Sequence, residues 1–350
     1  MTPQPMQTTF HADPSPTPGI LTVTLNPAVD VATSVERLVE SHKMRCTHAQ
    51  RDPGGGGINV ARVIQRLSSG SGGSGNSGSD NSGSDNSGNC VALYLAGGAT
   101  GQMLRELLDA EHVSGVCIEI AGETRENFSV RETLTGREYR FVLPGPTVTA
   151  HEWQACADYL ASLDPPPRYL VLSGSLPPGL PADAWAQLAR TAKARGTRVV
   201  VDTSGPALAA ALDAGVYLVK PSLGELRALT GRPLDTEPEW REAARQLVRE
   251  GRAQRVALTL GERGALLVSE DRTLSAPALD VPVSSSIGAG DSFLGAMVWA
   301  LNRQAGLDEA FRYALAAASA TLLTSGTRLC SAEEVARMVG EMAKGGASVD

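Results

Sequence analysis

Residues Ser285–Ser292 read S-S-I-G-A-G-D-S and run into an apolar helical pattern that begins at Phe293. Three small residues, Gly288, Ala289 and Gly290, let the backbone turn tightly into a helix start. The unpaired N–H groups and the positive end of the dipole make such a start a site for anions, phosphate above all. Asp291 shares that end and is repelled by whatever anion binds there. Its chemical use is then to take the proton from a hydroxyl that attacks phosphorus. Taken alone, the same aspartate is equally a helix cap.

Further groups of residues have the types such a reaction needs. Asn26-Pro27-Ala28-Val29-Asp30 follows a β run, where a short carboxylate can bind sugar hydroxyls; as Asn-Pro and Asp it also reads as a plain turn. Pro53 is followed by four glycines, Gly54, Gly55, Gly56 and Gly57, and then by Ile58 and Asn59. Glycines there permit close backbone approach to a ligand, and Asn59 in a first helical turn can both donate to and accept from vicinal hydroxyls. The lysine and hydroxyl of a Walker A loop are absent. Lys43, Arg45, Arg125 and Arg140 form a basic set that could hold a phosphate on the acceptor, or a solvated face. Glu225, in Lys220-Pro221-Ser222-Leu223-Gly224-Glu225, could hold Mg2+ directly or through water, or serve the helix dipole. The turn Thr259-Leu260-Gly261-Glu262-Arg263-Gly264 has room for a nucleotide, though alone it is a β-turn.

The elements that must position these residues alternate. A β run at 20–25 is followed by a helix at 58–67 and a strand at 91–95. Strands at 169–172, 198–201, 217–219, 255–260 and 265–269 have helices between them, and helices near 289–302, 307–324 and 332–344 close the chain. Alternation of this kind implies a mostly parallel sheet with helices on both faces. Short strands within 31–52 and a hairpin at 128–143 break the pattern and imply a small second sheet that covers the site. Residues 68–89 are almost wholly Ser, Gly, Asn and Asp and read as a flexible loop inside the domain. Residues 1–18 read as a disordered tail, without the features of a signal peptide, and the folded domain as 19–350.

Bulk properties narrow the class. The chain has 350 residues, 42% of them hydrophobic, and a net charge of −7. An acidic balance argues against nucleic acid or an anionic membrane as partner. No apolar run reaches the ~18 residues of a membrane span. The scattered cysteines (Cys46, Cys90, Cys117, Cys156 and Cys330) form no C-x-x-C pair, as in a reduced cytoplasmic protein without structural zinc.

In this order, the pieces resemble the ribokinase/PfkB sugar kinases from about residue 20 to 345. Stretches at 53–62 (P-G-G-G-G-I-N-V-A-R), 96–101 (A-G-G-A-T-G), 124–127 (T-R-E-N), 139–145 (Y-R-F-V-L-P-G), 173–179 (S-G-S-L-P-P-G) and 326–331 (G-T-R-L-C-S) are similar to its phosphofructokinase branch. The resemblance implies a three-layer αβα sandwich with a β-sheet lid, and ATP-dependent phosphorylation of fructose 6-phosphate at its 1-hydroxyl. Fructose 1-phosphate and tagatose 6-phosphate are the alternative acceptors, and relatives that use them tend to carry lysine where Gly56 stands. A sugar-phosphate sensor without activity is the alternative of a different class, and a nucleoside kinase a third possibility that the basic set in the covering strands disfavours. By the resemblance Asp291 is the base, and Gly288, Ala289 and Gly290 form the anion hole. Asp30, Gly55, Gly56, Gly57, Asn59 and Ser175 hold the sugar. Lys43, Arg125 and Arg140 serve its phosphate and those of ATP, with Lys43 able to reach a neighbouring subunit. Lys220, Ser222, Thr259, Gly261, Gly264 and Ser319 belong to the ATP pocket, and Glu225 organises Mg2+. Carbonyls near Ser285, Ile287, Thr321, Thr324, Gly326 and Arg328 correspond to a potassium loop. The lid is implied to form a homodimer contact. Ser222 departs from the asparagine of the family's metal motif.

Overall fold

The computed structural model describes residues 18–70 and 90–344. The strand β1 (Ile20–Thr24) is buried at every position, as expected of a strand covered on both faces. It lies between β4 (Cys90–Ala96) and β8 (Tyr169–Ser173), parallel to both. Outward on one side of β4 comes β5 (Gly115–Glu119); beyond β8 come β9 (Arg198–Asp202), β10 (Val216–Val219), β11 (Ala253–Thr259), β12 (Ala265–Ser269) and β13 (Thr273–Ala276). The nine-stranded sheet is parallel except for β12 and β13, which pair antiparallel.

Side chains alternate across the pleat, so each strand feeds two cores. Ile20, Ala92, Tyr94, Tyr169 and Val171 pack toward one face, with residues of α1 (Gly56–Gly70), α8 (Ala289–Asn302), α9 (Leu307–Leu322) and α10 (Ala332–Lys344). Leu21, Val23, Leu93, Leu170 and Leu172 pack toward the other, with α3 (Ala150–Ser162), α4 (Ala184–Ala194), α5 (Gly205–Asp213), α6 (Leu223–Thr230) and α7 (Glu237–Arg249). The result is the expected three-layer sandwich. Among the described residues no helix is long and apolar enough to cross a membrane.

The small sheet has the order β3-β2-β6-β7, built from β2 (Ala28–Val35), β3 (Gln50–Gly54), β6 (Arg125–Glu132) and β7 (Glu138–Val142). The hairpin at Thr135-Gly136 is present. Four boundaries differ from the sequence reading. β2 starts at Ala28, so Asp30 belongs to the lid and only Asn26-Pro27 is turn. β6 starts at Arg125, and α1 continues through Gly70, so Ser68–Gly70 are helical. The segment 36–49 contains no strand. β5 and β13 were not anticipated: one is a short edge strand, the other the polar T-L-S-A. Residues 1–17 and 71–89, the expected tail and most of the expected loop, lie outside the described residues.

Candidate active site

The carboxyl ends of β1, β8, β9, β10 and β11 face the N-terminal ends of α1 and α8, the place where open α/β sheets put their ligands. Helix α8 begins at Gly288, whose φ of 77° favours glycine; a Cβ there would also stand 2.4 Å from Leu329. No side chain caps this end. Among the described residues the amides of Gly288 and Gly290 make no hydrogen bond, and that of Ala289 reaches the Ser286 carbonyl only at 3.4 Å. The anion hole expected from the sequence is therefore open.

Asp291 is half-buried beside it. Its pKa is pushed up to about 7, first by burial and then by the Asp202 charge; a hydrogen bond from Asn59 and the Lys220 charge oppose the rise, and Asp30 adds to it. Asn59 Nδ2 donates to Asp291 Oδ2 at 2.8 Å. Asn59, read as a sugar ligand, thus also acts on the base. Its Oδ1 accepts from Arg62 Nη1 at 3.1 Å, and Arg62 in turn donates to the Pro53 carbonyl and, through Nε and Nη2, to Glu111 at 2.5–3.1 Å. Arg62 is 1% exposed. A chain from Glu111 through Arg62 and Asn59 fixes the Asp291 carboxylate. The sequence reading gave Arg62 and Glu111 no role. Arg62 lies one turn beyond Asn59 on the same helix face, and that spacing was the available signal.

Lys220, 6% exposed, pairs with Asp202 at 3.1 Å. Burial works against its charge, but the Asp202 carboxylate outweighs burial and holds its pKa above the ordinary lysine value. Its Nζ is 3.4 Å from where a Cβ on Gly290 would stand, so a fixed positive charge sits beside the anion hole. Asp202, at the end of β9, was not singled out in the sequence.

Two hollows lie near the N-terminal end of α8, one lined by Ala289 and Gly290 and a much smaller one, of about 10 Å3, lined by Ile287. The larger, of about 810 Å3, is lined by Ser222, Thr259, Gly261, Gly264 and Ser319 together with Ala289 and Gly290, which gathers the expected nucleotide residues except Lys220. Phe293, Leu279, Val281 and Leu315 make its inner wall apolar, as an adenine ring requires. The other lies under the lid, lined by Asp30, Asn127, Arg140, Ile287 and Thr327. Asn127 Nδ2 donates to Asp30 Oδ1 at 2.8 Å, and a Cβ on Gly54 would stand 2.4 Å from Asp30 Oδ2. Burial lifts the Asp30 carboxyl above its usual range against that bond and the charge of Arg140.

The other expected ligands divide. Arg125 donates to the carbonyls of Asn26, Pro27 and Leu143 at 2.9–3.4 Å and straps the lid to the turn after β1. That geometry ties three of its N–H groups to backbone and leaves the remainder for a phosphate. Ser175 is exposed and accepts from Asn26 Nδ2 at 3.1 Å. Lys43 is exposed on the 36–49 segment and lines neither cleft, and Arg45 is exposed beside it. Ser222 caps α6: its Oγ accepts from the Glu225 amide, and Glu225 Oε2 returns to the Ser222 amide at 2.7 Å. Only Oε1 of Glu225 is left over for a cation. Among the described residues no cluster of three or more His, Cys, Asp or Glu can hold a metal. The donor set therefore fits a magnesium ion carried by nucleotide phosphates and water, with Glu225 at its edge. The Ser284 and Ser285 amides donate to the Leu322 carbonyl at 2.7 and 3.4 Å, which sets the segment before α8 against the end of α9. The Thr324 hydroxyl stands 2.8 and 2.5 Å from the carbonyls of Thr321 and Arg328, and Gly326 turns there with a φ of 65°. Carbonyl oxygens are the donor type a potassium ion takes, but those of Thr321 and Leu322 each already accept two hydrogen bonds.

The pfkB family carbohydrate kinase profile matches residues 23–334. The chain is 40% identical over 320 residues to ATP-dependent 6-phosphofructokinase isozyme 2 of Mycobacterium tuberculosis, covering 91% of this chain and 88% of the relative. It is 36% identical over 285 residues to a 1-phosphofructokinase of Xanthomonas campestris, covering 80% and 83%. A crystal structure of phosphofructokinase-2 from Escherichia coli in complex with potassium superposes with a TM-score of 0.83 at 39% identity, covering 93% of this chain and 99% of that one. The same enzyme has been solved in a tetrameric inhibited form, with a TM-score of 0.82 at 38% identity and the same coverage, 93% and 99%. By a profile that spans most of its length and a relative at 40% identity, this chain belongs to the pfkB family of carbohydrate kinases.

Proposed function

We propose that the protein transfers the γ-phosphoryl group of ATP to the 1-hydroxyl of fructose 6-phosphate. The observation that carries this reading is Asp291, a carboxylate with a pKa of about 7 in the first turn of α8, next to the free amides of Gly288 and Gly290 and to the cleft that Gly290 lines. The nucleotide lies in the larger cleft with its terminal phosphate at Gly288–Gly290. The sugar lies under the lid, with Asp30 and Asn127 toward its hydroxyls and Arg140 toward its phosphate. Asp291 takes the proton of the attacking hydroxyl, and Lys220 with the helix amides stabilises charge on the migrating group. Most of the acceleration comes from placement and fixed charge, since this transfer asks little covalent chemistry of a protein. Bound Mg2+ supplies charge neutralisation on the phosphates, and Glu225 is the residue to hold it. Potassium, if taken up by the carbonyls at 285–287 and 321–328, steadies the loop that precedes α8.

Two further points belong to this reading. The lid carries exposed Phe128 and Phe141, paired opposite each other on β6 and β7, an apolar surface suited to a second copy of the chain. Lys43 then serves the partner's cleft rather than its own. The free cysteines, Cys46 exposed among them, fit a cytoplasmic protein.

The test is ADP release with fructose 6-phosphate, fructose 1-phosphate and tagatose 6-phosphate in turn. The highest kcat/KM is expected with the first. A preference for either of the others reassigns the acceptor, and sugar-phosphate binding without ADP release makes the protein a sensor.

A further inference from the structure

At the opposite, amino-terminal ends of the strands, the first residues of β8 and β9, Tyr217 of β10 and Arg255 of β11 meet the turn between α8 and α9 around a cavity of about 620 Å3. Arg168, Arg198 and Arg255 line it, with Tyr169 and Tyr217. Tyr217 lies between two guanidinium groups, Arg255 Cζ at 4.4 Å and Arg198 Cζ at 5.1 Å from its ring centroid. Stacking occupies the faces of the guanidinium groups and leaves their N–H edges. Arg198 uses one N–H on the Tyr169 hydroxyl, and Arg168 one on the Asn302 carbonyl. Arg255 Nε and Nη1 are shielded from solvent without a hydrogen-bond partner.

Among the described residues none of the three arginines pairs with a carboxylate. The acids nearby are turned elsewhere: Asp213 to Arg252 at 3.0 Å and Asp308 to Arg272 at 2.9 Å, while Glu309 lines a neighbouring cavity. Three like charges gathered in a concavity, on a chain of net charge −7, repel one another unless an anion joins them. The cavity also includes Gly306 and Leu307, the start of α9, where no side chain caps the helix. Guanidinium edges and open helix amides both match phosphate oxygens.

We propose that this cavity binds a small phosphate-bearing anion. The site is separate from the candidate active site: Asp291 is in the first turn of α8 and Leu301 of the cavity in its last, about 15 Å apart at 1.5 Å per residue. The ligand therefore does not compete with nucleotide.

Calorimetric titration of the full chain with inorganic pyrophosphate, in saturating ADP, tests this. One equivalent is expected to bind. Arg255→Gln should weaken it at least tenfold and Arg255→Lys much less, with turnover in the absence of pyrophosphate unchanged. If Arg255→Gln fails to fold by circular dichroism, Arg168→Gln, at an exposed position, gives the same reading. Absence of binding, binding abolished by ADP, or binding unaltered in both glutamine variants would overturn the proposal.

Discussion

With a pKa of about 7, the Asp291 carboxyl is about half ionised at neutral pH. Only the ionised form accepts a proton, so kcat/KM should rise with pH and level off above a midpoint near 7. Asp291→Asn should cost at least ~10²-fold in turnover, the scale of a lost general base; near-wild-type turnover would remove Asp291 from the chemistry. The Asn59 bond lowers the Asp291 pKa, so Asn59→Ala should move the acidic limb to higher pH, read from the same profile. At this scale the sequence was legible where a residue acts within its own segment. The run 288–291 marked a helix start whose Gly288 and Gly290 amides stand free and whose Asp291 has a raised pKa. Asp202 was illegible, because V-V-V-D is an ordinary strand end until Lys220, from the next strand, is folded against it. Arg125 was misjudged in part for the same reason: its carbonyl partners come from β1's exit and from beyond β7.

At the scale of elements, α1 carries the chain from Glu111 to Asp291. The bonds from Arg62 outweigh burial and hold the Glu111 carboxyl below its usual range, which keeps the pair charged. Glu111→Gln removes that charge and frees Arg62 to shift, so Asn59 loses its fixed orientation. The expected outcome is a fall in kcat/KM on the order of tenfold, with the acidic limb displaced upward as in Asn59→Ala. A variant that melts earlier with an unmoved pH limb would make Glu111 merely structural. The elements of the parallel sheet were readable because doubly covered strands are nearly continuous apolar runs, as in Ile20–Thr24. β13 was not, since an antiparallel edge strand needs no such run and T-L-S-A has none. The lid strands were recognised but placed late: Asn-Pro before Ala28 read as a turn, and β6 begins at Arg125, ahead of the Phe128 where the apolar pattern starts.

For the molecule as a whole, the lid strands β6 and β7 carry several of the exposed large apolar side chains. On β7 Phe141 is 51% exposed, opposite the exposed Phe128 of β6, and the two share a face of the lid. If two lids pack together, Phe141→Asp should convert a dimer to a monomer in sedimentation velocity; an unchanged mass would place any contact elsewhere. The lid also has a tie to the reaction. β3 ends at Gly54 and α1 begins at Gly56, and the Pro53 carbonyl of β3 accepts from the same Arg62 that steadies Asn59. Roof and base are thus joined by one stretch of backbone. Under the proposed phosphoryl transfer, a shift of β3 would pull on Arg62 and through it on Asn59 and Asp291, so a strain placed on the roof would be felt at the carboxylate.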